Sequence, residues 1–404
     1  MKSIRNVYRI GRGPSSSHTI GPERAAVYFK DRFKQGERYV IKLYESLCKT
    51  GRGHGTDRVL NQVFAPKKTE IIFCEETPED VDHPNTFDMF AYKGEKLLGK
   101  QRFVSTGGGD IRLNGTKEME WPDAYPEDTY AEIEQYCRFR GLKLAEYIEL
   151  CEGKDIWDFL LQIWQAMKAS VKSGLEAEGE LPGGLRVQRR AKILFNGRDR
   201  DNTIQNKESR LLFAYAFAVS EENADCGTIV TAPTCGSCGI LPAVLYYFYK
   251  EQGAKDKEIL NALAIAGLFG SLVKTKASVS GAICGCQAEV GTACSMAAAA
   301  VACLMGLRKE QIQYAAEIAM EHHLGLTCDP ICGLVQVPCI ERNAVAAVRA
   351  MDAARLASYL SGTERISFDI VVRTMYETGI SMNQRFRETA EGGLAKMYDR
   401  RRGE

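Results

Sequence analysis

The pattern of apolar and polar positions changes character near residue 115. Before that point, short segments rich in β-forming residues alternate with turns, as in RYVIKLYESL and TEIIFCEE. The stretch AYKGEKLLG has the pattern of a β-hairpin, and STGGGD is typical of a glycine-rich turn. We therefore predict an α+β domain over residues 1–115.

From about residue 145 the apolar positions recur with helical spacing. Examples are KLAEYIELCEG, DIWDFLLQIWQAMKASVKSGLEAEG, EILNALAIAGLFGSLV and EQIQYAAEIAMEHH, and glycine-rich breaks separate them. ACSMAAAAVACLMGL is short and alanine-rich, which favours a buried helix over a membrane span. The pattern predicts a mostly α-helical domain over residues 146–404 whose loops meet at one site. An acidic, aromatic segment over residues 116–145 is interpreted as the linker.

Composition narrows the classes of function. The 404 residues are 45% apolar and 26% charged, enough for two domains with a large core. A net charge of +1 gives no electrostatic support for a nucleic-acid or membrane partner. The N-terminus MKSIRNVYRIGRG lacks the apolar run of a signal peptide, so we expect a cytoplasmic protein whose 14 cysteines are reduced.

Three of the five histidines lie in loop-like sequence, which makes them candidate catalytic residues. His18 is in GPSSSHTIGP, His54 in GRGHGTD and His83 in DHPNT. A single loop histidine is more often a hydrogen-bonded surface residue, but three such loops in one small domain are harder to explain that way.

The turn that contains His18 also offers several hydroxyl groups. One interpretation is an ordinary helix N-cap, and the other is an anion site at a helix N-terminus, for instance for a carboxylate. The two are compatible. The candidate binding residues are Ser15, Ser16, Ser17 and Thr19.

Several cysteines cluster in glycine- and proline-rich loops. The CGSC stretch fits a zinc half-site or a redox pair, whereas wide spacing on separate loops suits an iron–sulfur cluster. A buried cysteine can also be simply a small apolar residue. Spacing alone leaves these alternatives open for Cys235, Cys238, Cys284, Cys286, Cys294, Cys328, Cys332 and Cys339.

The chain closely resembles the bacterial iron–sulfur L-serine dehydratases of the single-chain form. The resemblance rests on IGRGPSSSHTIGPERAA, GHGTD, LPGGLRVQRRA, VTAPTCGSCGILPAVL, SGAICGCQAEVGTACSMAAA, AMEHHLGLTCDPICGLVQVPCIERNA and RETAEGGLA. These stretches run in family order from residue 10 to residue 395.

The resemblance implies deamination of L-serine to pyruvate and ammonia, as in amino-acid degradation and gluconeogenesis. It also implies a regulatory-like, substrate-binding N-terminal domain and a [4Fe–4S] cluster held by Cys286, Cys328 and Cys339. Cys294 lies in a family stretch but is not expected to bind iron. Three thiolates leave one iron open, and that iron can act as a Lewis acid on the serine hydroxyl.

We expect a histidine to take the α-proton and the serine-rich turn to hold the carboxylate. Glycines on both sides favour His54 as the base, with His18 next and His83 third. The expected partner is a small-molecule amino acid, with neither nucleic acid nor membrane, and the expected assembly is a homodimer.

Other functions fit parts of the sequence. The same chemistry on L-threonine or L-cysteine is an alternative, and so is a non-catalytic regulatory protein with a zinc or cysteine site. A pyridoxal-phosphate enzyme would need Lys274 or Lys276 as Schiff base and STGGGD as phosphate cup, and it leaves the cysteine motifs unexplained.

Overall fold

The computed structural model describes residues 1–113, 122–360 and 362–402, with side chains described up to residue 399. Within them a five-stranded mixed sheet is followed by a large assembly of helices, as the apolar pattern predicts. The strands are β1 (Arg9–Arg12), β2 (Arg38–Leu43), β3 (Lys68–Phe73), β4 (Thr86–Lys93), β5 (Lys96–Gly107), β6 (Asp110–Leu113) and β7 (Thr228–Thr231).

The N-terminal sheet has the strand order β3-β2-β4-β5-β6. Strands β2 and β3 are parallel and the other neighbours are antiparallel. The predicted hairpin is confirmed, because β4 and β5 pair down to Lys93 and Lys96. The predicted glycine-rich turn is confirmed between β5 and β6, where Gly108 and Gly109 have φ of 59° and 80°.

Sixteen α-helices lie in the described part of the chain, and the four helical stretches cited above are all helical. They are α1 (Gly21–Arg32), α2 (Glu45–Thr50), α3 (Thr56–Phe64), α4 (Tyr130–Arg140), α5 (Leu144–Glu152), α6 (Ile156–Glu176), α7 (Ala191–Asn196), α8 (Ile204–Ala224), α9 (Ile240–Glu251), α10 (Asp256–Lys276), α11 (Gly281–Cys284), α12 (Thr292–Leu304), α13 (Lys309–Glu321), α14 (Cys339–Tyr359), α15 (Phe368–Ser381) and α16 (Gly393–Arg402).

The alanine-rich segment forms the buried helix α12, as predicted. Two stretches, Asp256–Lys276 and Gln287–Leu304, are long and apolar enough to cross a membrane, but 72% and 83% of their apolar windows are buried inside the protein. Alanine and glycine on these helices allow close packing. A Cβ on Gly270 of α10, for example, would come within 2.8 Å of the sulfur of Met296.

The two cores do not divide the chain at a single point. A small core, with Phe29, Tyr39 and Phe87, lies between the sheet and its helices. The larger core lies among the helices and also takes in Ile4 and Tyr8. Strand β1 pairs antiparallel with β7, so the first twelve residues are attached to the helical part.

The segment interpreted as a linker is structured where it is described. Residues 114–121 lie outside the described residues, whereas Thr129 caps the helix α4, and Tyr130 and Ile133 are buried in the larger core. The boundaries at residues 115 and 145, and the regulatory-like nature of the first domain, therefore remain predictions.

Candidate active site

A narrow cavity lies where the N-terminal loops meet the loops of the helical part. Pro14, Ser15 and His54 line it from the N-terminal side. The other lining residues come from the helical part and are Gly236, Cys286, Glu289, Val290, Cys328, Pro330, Val335, Cys339 and Glu388. The three cysteines named by the resemblance thus face the favoured histidine and the first serine of the serine-rich turn.

Cys286 is placed by a glycine and a glutamine on either side. Gly285 has φ of +72°, and a Cβ there would lie 2.8 Å from the Leu326 carbonyl oxygen, so only glycine fits. The buried amide of Gln287 donates to the Cys284 and Met375 carbonyls at 3.0 and 3.2 Å and accepts from the Gly325 N–H at 2.9 Å. These bonds tie the Cys286 loop to the loop that carries Cys328.

Cys328 and Cys339 are held in place by side chains of α14. Arg342 donates to the Thr327 carbonyl at 2.6 Å and to Asp329 at 3.2 Å, which fixes the loop around Cys328. Cys339 is the first residue of α14, and its carbonyl accepts a 2.8 Å hydrogen bond from Asn343.

The three thiols share the cavity wall with a carboxyl group. The oxygen Oε2 of Glu289 lies 4.0 Å from the sulfur atoms of both Cys286 and Cys328. The ligand atoms of these three residues lie within 4.8 Å of one another, which is a spacing that can hold a metal. A Cβ on Gly281 would lie 3.1 Å from the Cys328 sulfur, so glycine leaves room there.

The surroundings of Cys328 and Cys339 disfavour the charged, thiolate form of their side chains. A hydrogen bond with Cys286, together with burial, raises the pKa of Cys328, and burial raises that of Cys339. Burial also raises the pKa of Glu289 to about 7. Burial opposes the charge of Arg342, but Cys286, Cys339 and Asp329 raise its pKa overall. A bound metal cation would stabilise the thiolates that this environment otherwise disfavours.

The histidine side of the cavity is a compact hydrogen-bonded cluster. The rings of His18 and His54 lie edge to face with centroids 4.5 Å apart. His18 contacts Ser17 through Nδ1 at 2.9 Å, and Ser46 and Thr50 through Nε2 at 3.1 and 3.0 Å. Both ring nitrogens of His18 therefore have protein partners.

His54 is buried, but neither ring nitrogen has a hydrogen-bond partner among the described residues. Its backbone carbonyl accepts a 2.7 Å hydrogen bond from the Thr19 hydroxyl. An unpaired buried imidazole that lines a cavity is suited to bind a polar ligand. Burial and then the His18 charge hold the pKa of His54 well below its usual value, so the imidazole is neutral at pH 7.

The serine-rich turn is a single π-helical turn, Ser16–Ile20, that leads into α1. Ser15 caps it by accepting from the His18 N–H at 3.1 Å, as the helix-cap interpretation predicts. Ser17 and Thr19 have partners on the two histidines, and of the four predicted binding residues only Ser15 lines the cavity.

His83 lies in the loop before β4 and does not line the cavity. Its Nδ1 accepts from the Asn85 N–H at 3.1 Å. Burial lowers its pKa to about 4.

Both polar side-chain atoms of Asn85 and the Ser105 hydroxyl are buried without a partner among the described residues. These polar groups gave no signal in the sequence.

Two glutamates in the site were missed by the sequence analysis. Besides Glu289, Glu388 lines the cavity and lies 3.6 Å from His18. Burial and the charges of Glu289 and Cys286 raise the pKa of Glu388 well above its usual value. His18, His54 and Glu388 form a second group of possible metal ligands. The RETAEGGLA stretch pointed to the right segment, but nothing local marked Glu388 as buried.

The remaining candidate cysteines do not line the cavity. Cys235, Cys238, Cys284 and Cys294 are buried in the larger core. Cys332 is exposed and lies in a wider cleft that adjoins the cavity through Pro14 and Val335.

The lysines required by the pyridoxal-phosphate alternative are engaged elsewhere. Lys274 donates to the Asn6 carbonyl at 3.0 Å and pairs with Asp110, and Lys276 pairs with Asp128. Neither lines the cavity with the three cysteines. The structure therefore offers no support for a Schiff base at this site.

The cavity lining therefore brings three cysteines and a glutamate, residue types that can hold a metal ion, together with His54. Comparison with known families identifies the chain. The model of the serine dehydratase alpha chain matches residues 72–395, and that of the serine dehydratase beta chain matches residues 3–62. The chain belongs to the serine dehydratase family, with both parts fused in one polypeptide.

Curated relatives align over nearly their whole length. L-serine dehydratase 2 of Escherichia coli (strain K12) is 39% identical, with 98% of each chain covered. The L-serine dehydratase of Streptomyces coelicolor is 39% identical, with 97% of this chain and 98% of that relative covered. The L-serine dehydratase of Helicobacter pylori is 36% identical, with 98% of each covered.

Burial predicts that the histidines of the site stay neutral over a wide pH range. The pKa of His18 is lowered to about 4, so below pH 6.5 this ring should remain unprotonated until the pH approaches 4. We expect the ring nitrogens of His18 to keep neutral-imidazole ¹⁵N shifts from pH 8 to about 5, and those of His54, whose pKa burial also lowers, to titrate below the usual range of a histidine. Histidine-labelled protein, with His18→Gln and His54→Gln for assignment, provides the measurement. A midpoint near 6.5 for either ring would contradict the prediction.

Proposed function

We propose that the protein deaminates L-serine to pyruvate and ammonia by eliminating water. One observation carries the proposal: three thiols of the helical part line the same cavity as His54 and Ser15 of the N-terminal loops. The names of its relatives support L-serine as the substrate. An amino acid in this cavity would meet a metal-binding wall on one side and a neutral imidazole on the other.

Cys286, Cys328 and Cys339 are the residues that would hold a [4Fe–4S] cluster. Their sulfur atoms face one cavity, and glycine leaves room beside Cys328. When bound, the cluster supplies a Lewis acid that draws charge from the serine hydroxyl as it leaves. Glu289 lies beside two of the thiols and is a candidate for further contact with the metal.

His54 is the proposed base. A base must be unprotonated at neutral pH, and burial, which lowers the pKa of His54, keeps its imidazole neutral. Both ring nitrogens lack partners among the described residues, so one of them is available to the α-proton. Thr19 holds the His54 backbone, and the His18 ring packs edge-on against the His54 ring.

Ser15 is the proposed contact of the substrate carboxylate. It lines the cavity at the start of the turn that leads into α1, where backbone N–H groups and the helix dipole favour an anion. Ser17 and Thr19 are proposed to position His18 and His54 instead. The enamine released by elimination tautomerises and hydrolyses to pyruvate and ammonia without further help from the protein.

Activity on L-threonine or L-cysteine remains the second proposal, because the cavity geometry does not separate these substrates. The cytoplasmic location, the homodimer and the lack of nucleic-acid or membrane partners also remain predictions.

The cluster assignment predicts that three cysteines behave alike. After anaerobic reconstitution with iron and sulfide, Cys286→Ala, Cys328→Ala and Cys339→Ala should each lose bound iron, brown absorbance and serine turnover together, because each removes one thiolate ligand. Cys303→Ala, near the end of α12, is the matched control and should keep all three. Equal loss of iron in Cys235→Ala or Cys238→Ala would instead make the CGSC loop a ligand.

The division of labour at the substrate predicts different kinetic defects. His54→Ala should lower kcat by about two to four orders of magnitude with the iron content unchanged, because the base is lost. Ser15→Ala should mainly raise KM, by an amount equivalent to about 1.5–3 kcal/mol for a hydrogen bond to a charged group. Pyruvate formation and iron content are measured for both. Near-normal kcat in an iron-loaded His54→Ala variant would move the base to His18 or His83.

A further inference from the structure

The proposed reaction leaves one group of the substrate without a protein partner. An amino acid brings a carboxylate, a side-chain hydroxyl and an α-hydrogen, for which the proposed function names Ser15, the metal side and His54. Its α-ammonium group also needs an acceptor. The cavity offers two carboxyl groups, Glu289 and Glu388, and no lysine or arginine among its described lining residues. This acidic lining therefore suits a ligand that carries a cationic group.

Glu388 has the position and the free capacity to accept that group. Its side chain is buried and lines the cavity, yet Oε2 has no hydrogen-bond partner among the described residues. The other oxygen, Oε1, lies 3.6 Å from Nδ1 of His18. A buried carboxyl oxygen without a partner is costly unless a ligand fills the role.

The backbone around Glu388 fixes where its side chain points. Its N–H donates to the Cys328 carbonyl at 2.8 Å, and its own carbonyl accepts from the Ser46 hydroxyl at 3.0 Å. The residue also has φ of +57°, a left-handed conformation that is uncommon outside glycine. Such a conformation persists only where the surrounding structure holds it, and it is frequent at ligand sites.

Glu289 is the less suitable acceptor because it faces the thiols. Its Oε2 is 4.0 Å from two of the three sulfur atoms, so it belongs to the metal side of the cavity. Glu388 lies instead on the side of His18 and His54. The α-carbon must approach His54, and the ammonium group attached to that carbon must stay on the same side.

We propose that the Glu388 carboxylate receives the α-ammonium group of the amino-acid substrate. The assignment rests on the proposed function for the orientation of the substrate. It makes Glu388 a specificity residue, since it distinguishes an α-amino acid from an acid that lacks the amine. Charge-assisted hydrogen bonds of this kind are stronger than those between neutral groups.

The test compares two ligands that cannot lose water and differ in the ammonium group, L-alanine and propionate. Dissociation constants are measured by ligand-observed NMR on the iron-loaded protein, which requires no turnover. Glu388→Gln should weaken L-alanine binding about 10- to 100-fold and change propionate binding less than about threefold. Glu391→Gln is the matched control. Glu391 belongs to the same segment as Glu388, but its side chain is exposed and pairs with Lys49. It should keep the wild-type preference.

Each other outcome decides against the assignment. Equal weakening of both ligands would make Glu388 a residue that only positions His18, and unchanged L-alanine binding would place the ammonium group elsewhere. Loss of the preference in Glu289→Gln alone would transfer the role to Glu289. If Glu388→Gln does not fold, Glu388→Asp carries the test, with weaker L-alanine and unchanged propionate binding expected. Absent serine turnover in the wild type would refute the proposed function while leaving this comparison valid.

Discussion

The two sides of the site depend on the backbone pairing of Cys328 with residues 386–388. The Cys328 N–H donates to the Phe386 carbonyl, and the Glu388 N–H donates to the Cys328 carbonyl, both at 2.8 Å. The Glu388 carbonyl then accepts from Ser46, whose hydroxyl also contacts His18. Each of these hydrogen bonds contributes only about 1 kcal/mol to stability. Their main effect is on geometry, because they fix a thiol and a carboxyl group relative to the histidines.

Burial is the main influence on the protonation state of the groups in the site. It disfavours the charged form of buried groups, so it lowers the pKa of His18 and His54 and raises that of Cys339 and Glu388. The pKa of Cys328 is raised first by its hydrogen bond with Cys286 and then by burial. The resulting cavity holds imidazoles that burial keeps neutral and acidic groups whose ionisation a nearby cation would favour. A metal cluster and a substrate ammonium group are both cationic partners of the kind that this wall can stabilise.

The sequence predicted the elements better than the contacts between them. Hydrophobic periodicity identified the β4–β5 hairpin and the helix α12, because each depends on neighbouring residues. Attachment of residues 9–12 to β7 could not be predicted, since the paired residues are more than two hundred positions apart.

The dependence on contacts between distant residues also explains which site residues the sequence indicated and which it did not. Rare residue types in glycine-rich loops marked His54 and the three cysteines, and the resemblance selected among the cysteines. Glu289 and Glu388 are acidic residues of ordinary appearance, and only the tertiary fold shows that they are directed into a cavity. His83 had the same local signal as His54, but it is placed outside the lining of that cavity.

The most direct test of the account is the position of iron in the folded protein. Crystals of the anaerobically reconstituted enzyme, measured on both sides of the iron absorption edge, give an anomalous map that shows iron alone. The account predicts a single strong peak bounded by Cys286, Cys328 and Cys339, facing His54. A peak bounded instead by His18, His54 and Glu388, the second group of possible ligands, would contradict it.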